Sequence, residues 1–338
     1  MRALVTGATG FVGYHVALAL CSAGHCVRAV VRSPQHADRL NELGMEVVAG
    51  DLATGHGLAS AVAGCDAVFH VAAHYSLNHR DSKVMHLVNV EGTKRVLEAV
   101  RQAGGPRLVY TSSTAAVGLR EDGEPADESR FVDPATVHSV YKQTKVMAEA
   151  LVLEAVRDGM DAVIVNPSTP VGPWDVKPTP TGRIVLDTMR GKMPAYVETG
   201  LNVVAVEDVA AGHVLAFAKG VRGERYILGN QNLHFGQLVA TVARLAGRKP
   251  PSWKIPFWLA YVVAGVDEYV VSPLLAKSPR APVAGVKLAR VPMYFTAAKA
   301  VRELGLPQTS VEEALARAVE WFQQHGDRGD QRGSVHRK

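Results

Sequence analysis

Three features of the sequence predict an α/β fold in which helices cover both faces of a doubly wound parallel sheet. Short β-branched apolar runs alternate with helical patterns through the first two-thirds of the 338 residues. Those runs carry no polar face, as strands buried on both sides require. The first run opens into a glycine-rich turn followed by a helix, which is the context that gives a glycine pattern meaning.

The order starts with "MRALVTG" and a helix from about Phe11. It continues through "CVRAVVR", "EVVAGD", "AVFHVAA", the helix "VEGTKRVLEAVRQAG", "RLVYTSS", the helix around Tyr141 and "AVIVNPS". After Asn166 the segment "NPSTPVGPWDVKPTPTGR" holds too many prolines and glycines for regular structure and is expected to cross the mouth of the sheet. Sheet returns at "NVVAVED" and "RYILGN", and the rest to about Gln324 reads as mainly helical and loop-rich. The expected organisation is a main sheet domain, 1–167 plus about 200–230, and a smaller, mainly helical lid for substrate, 168–199 plus about 231–325. Residues 326–338 are polar and aperiodic and are expected to be disordered.

Hydrophobic residues at 47% and charged residues at 20% are the balance of a soluble globular chain rather than a fibrous or disordered one. The formal charge is +5, but the lysines and arginines are scattered and not interleaved with aromatics, so no nucleic-acid partner is expected. Cys21, Cys26 and Cys65 form neither a metal-binding nor a disulfide pattern and read as small buried hydrophobes. No metal site is expected. The start of the chain enters a strand without a charged leader, which makes the cytoplasm the expected compartment. The apolar run "IPFWLAYVVAG", Ile255 to Gly265, is too short to span a bilayer. It reads as a buried helix, with a greasy substrate wall or a patch touching the inner face of the membrane as alternatives.

In "VTGATGFVG" the glycines Gly7, Gly10 and Gly13 allow a tight turn, a close backbone approach by a pyrophosphate, and close packing of helix on strand. Thr9, Phe11 and Val12 complete this phosphate turn. The second strand ends in Arg32 and Ser33 where an acid that binds a ribose diol would stand, and a guanidinium there can pair with a 2′-phosphate. NADP(H) is therefore the favoured cofactor, with NAD(H) the alternative. Asp51 is placed to accept the adenine amino group and Leu52 to pack on its ring, while Val71, Ala72 and Ala73 are small enough for a cofactor to approach. His70 reads as a core histidine; His74 and His79 are candidates to face substrate.

"RLVYTSSTAAVG" sets Thr111, Ser112, Ser113 and Thr114 at the end of the fifth strand, the edge where parallel sheets bind ligands. Next comes "VYKQTKVMAEA", with Tyr141 and Lys145 one turn apart on a helix face. A phenol is a weak acid at neutral pH, and a neighbouring cation lowers its pKa by favouring the phenolate. In this set Ser113 would bind a substrate oxygen, Tyr141 would pass the proton, and Lys145 would supply charge and hold the nicotinamide ribose. Val146, Met147 and Ala150 are expected to bury the helix in the sheet or in a partner. Asp208 reads as a helix N-cap and His213 as structural.

"TGATGFVG", "GDL", "HVAA", "NVEGT", "YTSS", "YKQTK" and "NPSTPVGP" together resemble the extended short-chain dehydrogenase/reductase family over about residues 1–325. That resemblance implies a Rossmann domain and catalysis by Ser113, Tyr141 and Lys145. It also implies a structural or proton-relay role for Asn89, and Pro167 and Ser168 beside the nicotinamide. It further implies a homodimer built through the Tyr141 helix. Within the family, "NPSTPVGPWDVKPTPTGRIV" and "RYILGNQNL" resemble the hopanoid-associated sugar epimerase group, whose relatives include dihydroflavonol 4-reductase-like enzymes.

Three activities are compatible with these residues. The first is epimerisation of a sugar-derived or lipid-linked sugar substrate, and the second is one-way reduction of a ketone or aldehyde by NADPH. The third is a non-catalytic NADP sensor, which the presence of both Tyr141 and Lys145 disfavours. A 4,6-dehydratase would carry Asp-Glu after its catalytic hydroxyl, whereas this chain has Thr114 and Ala115. On the substrate side, Lys177 and Arg183 are candidates to clamp a phosphate or carboxylate. His74, Thr114 and Asn166 are further substrate candidates.

Overall fold

A computed structural model describes residues 1–76, 79–133, 137, 139–272 and 283–326. Its main sheet holds seven parallel strands: β1 (Arg2–Thr6), β2 (Cys26–Val31), β3 (Glu46–Ala49), β4 (Ala67–His70), β5 (Arg107–Thr111), β6 (Ala162–Pro167) and β10 (Arg225–Leu228). Their spatial order is β3-β2-β1-β4-β5-β6-β10, so the direction of winding reverses between β1 and β4. Such a reversal leaves a crevice at the carboxyl ends of the strands, and open α/β sheets bind ligands there.

Alternation along each strand explains the missing polar face. Ala3 and Val5 of β1, with Val109 and Val163, enter one core beneath the helices Phe11–Ser22 and Val206–Lys219. Leu4, Leu108, Tyr110 and Ile164 point the other way, into a core covered by the helices Gly92–Gln102 and Val140–Arg157. Fully burying each large apolar side chain contributes about 1.5–3 kcal/mol, so strands apolar on both faces are stable only under both helical layers.

The strand expected at "NVVAVED" forms away from the main sheet. β9 (Gly200–Ala205) lies between β7 (Thr169–Val171) and β11 (Gln231–His234), parallel to β7 and antiparallel to β11. A separate core beneath it contains Val203, Leu238, Leu315 and Phe322. A two-stranded parallel pair joins β8 (Ala195–Tyr196) to β12 (Trp253–Lys254).

Three local expectations change. Asp208 is not the N-cap: Ala205 is, and the Asp208 carboxylate instead accepts from the Thr309 N–H and hydroxyl, both at 2.7 Å. Cys65 is buried, but Cys26 is exposed. On the Tyr141 helix Val146 is buried, whereas Met147 and Ala150 stand exposed in the protomer. The helix Phe257–Val266 buries only Ala260 and Ala264, leaving Trp258 65% exposed and Tyr261, Val262, Val263 and Val266 exposed with it. The expected disordered tail lies outside the described residues beyond Gly326. No described helix is long and apolar enough to cross a membrane.

Candidate active site

Because all seven main strands run parallel, the residues following β1, β2, β3, β4, β5 and β6 emerge along one edge of the sheet. That edge gathers the glycine turn, Arg32, Asp51, Val71 to Ala73, Ser113 and Pro167.

The turn after β1 has the form a pyrophosphate needs. Gly7 takes φ +78°, and a Cβ on it would stand 2.8 Å from the Ala72 backbone, so no side chain fits between the ends of β1 and β4. A Cβ on Gly13 would collide with the Gly7 carbonyl. The Gly10 N–H closes the turn on the Gly7 carbonyl at 2.8 Å. Gly10 is also the N-cap of the helix Phe11–Ser22, which has no side-chain cap and no acid in its first turn. The helix therefore presents its first N–H groups and its positive dipole end to the crevice, and the cradle fits a dinucleotide phosphate. Thr9 and Gly10 are exposed, and Phe11 and Val12 are half-buried.

Around the crevice, Arg32 and Ser33 are exposed at the end of β2. The Asp51 carboxylate accepts from the Ala53 N–H at 2.9 Å, and Leu52 is half-buried beside Gly92. At the end of β6, the Ser168 hydroxyl is buried without a hydrogen-bond partner, leaving it free to bond an incoming group.

A chain of hydrogen bonds fixes the ends of β1 and β4. Adjacent in register, Thr6 and His70 meet at 2.8 Å through the Thr6 hydroxyl and His70 Nδ1. His70 Nε2 meets the Thr93 hydroxyl at 3.1 Å, and that hydroxyl donates to the Asn89 carbonyl at 2.7 Å. Since Thr93 spends its proton on Asn89, His70 donates through Nε2 and accepts at Nδ1, which makes it a neutral imidazole. Burial first and Lys145 second push its pKa down to about 3. The core-histidine reading holds.

Asn89 lies in a π-helical turn, Leu87–Glu91, a form often found at functional sites. Its amide grips the His74 backbone from both sides, accepting from N–H at 2.7 Å and donating to C=O at 2.9 Å. It also donates to the Thr144 hydroxyl at 3.1 Å, which in turn donates to the Tyr141 carbonyl at 2.8 Å. Asn89 thus ties the loop after β4 to the Tyr141 helix. The His79 side chain lies outside what is described.

Ser113, Tyr141 and Lys145 come together at the end of β5. The Lys145 ammonium, 3% exposed, donates to the Thr111 carbonyl at 2.7 Å and lies 5.3 Å from the centre of the Tyr110 ring. Burial pulls its pKa down to about 8, with Glu149 opposing. Tyr141 is half-buried, and burial raises its phenol pKa while a hydrogen bond with Ser113 lowers it. Burial and the Ser113 hydrogen bond thus act on the phenol in opposite directions, burial being the larger. Among the candidate hydroxyls, Ser112 and Thr114 are buried, and the Thr111 hydroxyl is committed to His213 Nε2 at 2.8 Å. Ser113 is the one whose side chain bears on the Tyr141 phenol, lowering its pKa.

The substrate candidates divide. Lys177 and Arg183 are exposed on the loop and helix after β7, and His74 is half-buried. Asn166 is fully buried and points inward, donating to the Ser113 carbonyl at 3.0 Å and to the Glu149 carboxylate at 2.8 Å. The structure therefore places it behind Ser113 rather than facing the crevice.

Two neighbours escaped sequence reading. Tyr75 sets its ring edge-on to Tyr141 with centroids 4.3 Å apart, and burial raises its phenol pKa. Its place two residues after "HVAA" was the only available signal. Trp174 takes φ +69°, uncommon for a bulky residue, with the Arg39 guanidinium 3.1 Å from its ring centre. A tryptophan in a proline-rich loop gives no warning of that.

The model of the NAD dependent epimerase/dehydratase family matches residues 3–229. The chain belongs to this family. Its members use nicotinamide cofactors, so the fit of the glycine cradle to a dinucleotide agrees with the family. A Synechocystis sp. protein named as a dihydroflavonol 4-reductase is 48% identical over 95% of this chain and 94% of its own length. Sterol demethylase protein B of Methylococcus capsulatus is 36% identical over 96% of this chain and 99% of its own. The crystal structure of gox2253 superposes with a TM-score of 0.85 at 45% identity, covering 96% of this chain and 98% of that one.

Proposed function

We propose that this family member is an NADP(H)-dependent oxidoreductase acting at a carbonyl or carbinol carbon of a lipophilic substrate. The observation that carries the reading is the meeting of Ser113, Tyr141 and Lys145 on the sheet edge that holds the glycine cradle. Bound nicotinamide would supply or accept the hydride. Gly7, Gly10 and Gly13, with Thr9, Phe11 and Val12, would hold its pyrophosphate. Arg32 and Ser33 would hold the 2′-phosphate, and Asp51 and Leu52 the adenine. Val71 to Ala73, Thr111, Pro167 and Ser168 would line the path to the nicotinamide.

Ser113 would orient the substrate oxygen by a hydrogen bond, and Tyr141 would hold the transferred proton on Oη. Lys145, fixed by the Thr111 carbonyl, would keep a positive charge close to the phenol and so favour the phenolate formed when the proton leaves. Asn89 would act by holding the His74 loop against the helix. The lipophilic substrate class is supported by the reductase and sterol names of the two relatives and by the exposed aromatic face around Trp258. That face, with exposed Trp253 and Tyr269, would let the protein touch the inner face of a membrane. Exposed Met147 and Ala150 support a homodimer through the Tyr141 helix.

The second reading is epimerisation of a sugar-derived or hopanoid-linked sugar substrate, favoured by the family description and by the resemblance of "NPSTPVGPWDVKPTPTGRIV" and "RYILGNQNL" to the hopanoid-associated sugar epimerase group, although the spacing within "NPSTPVGP" is reductase-like. Here Lys177 and Arg183, both exposed, would meet a phosphate and His74 or Thr114 the sugar.

One experiment separates the two. The nucleotide released on denaturing purified protein is identified, and NADPH absorbance is then followed with sterol and flavonoid ketones. Stoichiometric NADPH consumption supports the oxidoreductase; retained NAD⁺ without net turnover supports the epimerase.

A further inference from the structure

The glutamate one helical turn beyond Lys145 connects both halves of the catalytic set. Glu149 is 3% exposed. One carboxylate oxygen accepts from Asn166 Nδ2 at 2.8 Å, and the other pairs with Arg225 Nε of β10 at 2.9 Å.

Both partners reach the turn that carries Ser113. Asn166 Nδ2 also donates to the Ser113 carbonyl at 3.0 Å. Arg225, 3% exposed, donates through Nη2 to the Ala116 carbonyl at 2.9 Å, where the short turn begun at Ser113 ends. Through Nη1 it donates to the Glu128 carbonyl at 2.9 Å. A buried carboxylate that accepts a hydrogen bond on one oxygen and is ion-paired through the other, with groups that each hold the same loop, has the geometry of a brace. The helix carrying Tyr141 and Lys145 is joined through it to the turn carrying Ser113.

We propose that Glu149 is a positioning residue, braced by Arg225 and Asn166, that fixes the Ser113 turn against the Tyr141 helix and sustains the positive charge of Lys145. The inference rests on the Ser113–Tyr141–Lys145 reading above. Other polar or titratable groups around Lys145 are His70 on β4, Tyr110 on β5 and Tyr141 on its own helix, with His213 beyond Thr111. His70 and His213 are neutral imidazoles, so Glu149 is the anion that bears on Lys145 among these groups.

The test uses the full chain and two variants. Lys145 is titrated by its 13Cε shift in cofactor-free protein, with Lys145→Arg as the assignment control. Cofactor affinity, kcat and KM are then measured for each variant. Glu149→Gln is expected to lower the Lys145 midpoint by about one pH unit from its value near 8. Its kcat should fall on the order of tenfold to a hundredfold, with KM and cofactor affinity nearly unchanged. Arg225→Lys keeps a cation but loses the forked grip on the Ala116 and Glu128 carbonyls, so kcat should fall while the Lys145 midpoint stays put.

An unmoved midpoint in Glu149→Gln, or wild-type kcat in either folded variant, overturns the proposal. Should Glu149→Gln not fold, Arg225→Lys decides through kcat alone, and wild-type kcat in it overturns the proposal. Turnover that survives Tyr141→Phe would remove the catalytic reading instead, and the cofactor-free titration distinguishes that failure from this one.

Discussion

Lys145 donates its ammonium to the Thr111 carbonyl at 2.7 Å, which anchors the cation of the Tyr141 helix to the end of the strand that leads to Ser113. An amine so placed is buried and loses its proton near pH 8. Cofactor-dependent turnover should therefore fall on the alkaline side with a midpoint near 8, measured as kcat against pH. Lys145→Arg should abolish that limb, since a guanidinium does not titrate there.

Tyr141→Phe removes the hydroxyl and little volume. Turnover should drop about 10²- to 10⁴-fold, while cofactor binding followed by tryptophan fluorescence stays within about threefold of wild type. Substantial residual turnover would show that another group carries the proton.

Arg32→Asp replaces a cation with an anion at the exposed end of β2. The ratio of NADP to NAD affinity should fall by about one to two powers of ten, the loss of a charge-assisted hydrogen bond or two. An unchanged ratio in binding calorimetry would reject the 2′-phosphate role.

Three buried groups contribute to acid stability. His70 and His213 titrate at about 3 and about 4 in the folded chain, both lowered chiefly by burial from 6.5. Below pH 6.5 the unfolded chain gains two protons that the folded one refuses, so stability falls with pH. Asp175, raised to about 6 by burial, works the other way, binding a proton in the folded chain between about 6 and 3.8. From these groups the net uptake on unfolding between pH 6 and 4 is one proton, a loss of about 1.4 kcal/mol per pH unit. Urea denaturation across that range checks the slope.

Trp258→Glu places a charge on the exposed aromatic helix without disturbing its buried Ala260 and Ala264. If that face meets lipid, co-sedimentation with anionic vesicles should be lost while thermal stability is kept. Equal sedimentation of both proteins would exclude the contact.

Most of the main sheet was legible because strands buried on two faces must be apolar throughout, and β1, β4, β5 and β6 announce themselves that way. The glycine cradle and the Tyr141–Lys145 pair were also legible, since both depend on spacing along one element. What sequence could not convey was the direction of side chains set by neighbours remote in the chain. Asn166 stands next to the last residue of an apolar strand, yet turns inward because Glu149 and the Ser113 carbonyl await it. Asp208 stands where a cap was expected, but Thr309 claims its carboxylate from 101 residues away. The Phe257–Val266 helix looked like a core element because composition records apolarity without recording what lies beside it.

The π-helical turn at Leu87–Glu91 carries one residue more than regular α-helical spacing would place there. Deleting Val88 would let the helix relax into continuous α form and rotate every position on one side of the cut by about 100° relative to the other. The Asn89 amide would then leave His74 and Thr144 together. The helix would gain regularity and the loop after β4 would lose its tether, so at this point the least regular backbone is what keeps the wall of the candidate site in place.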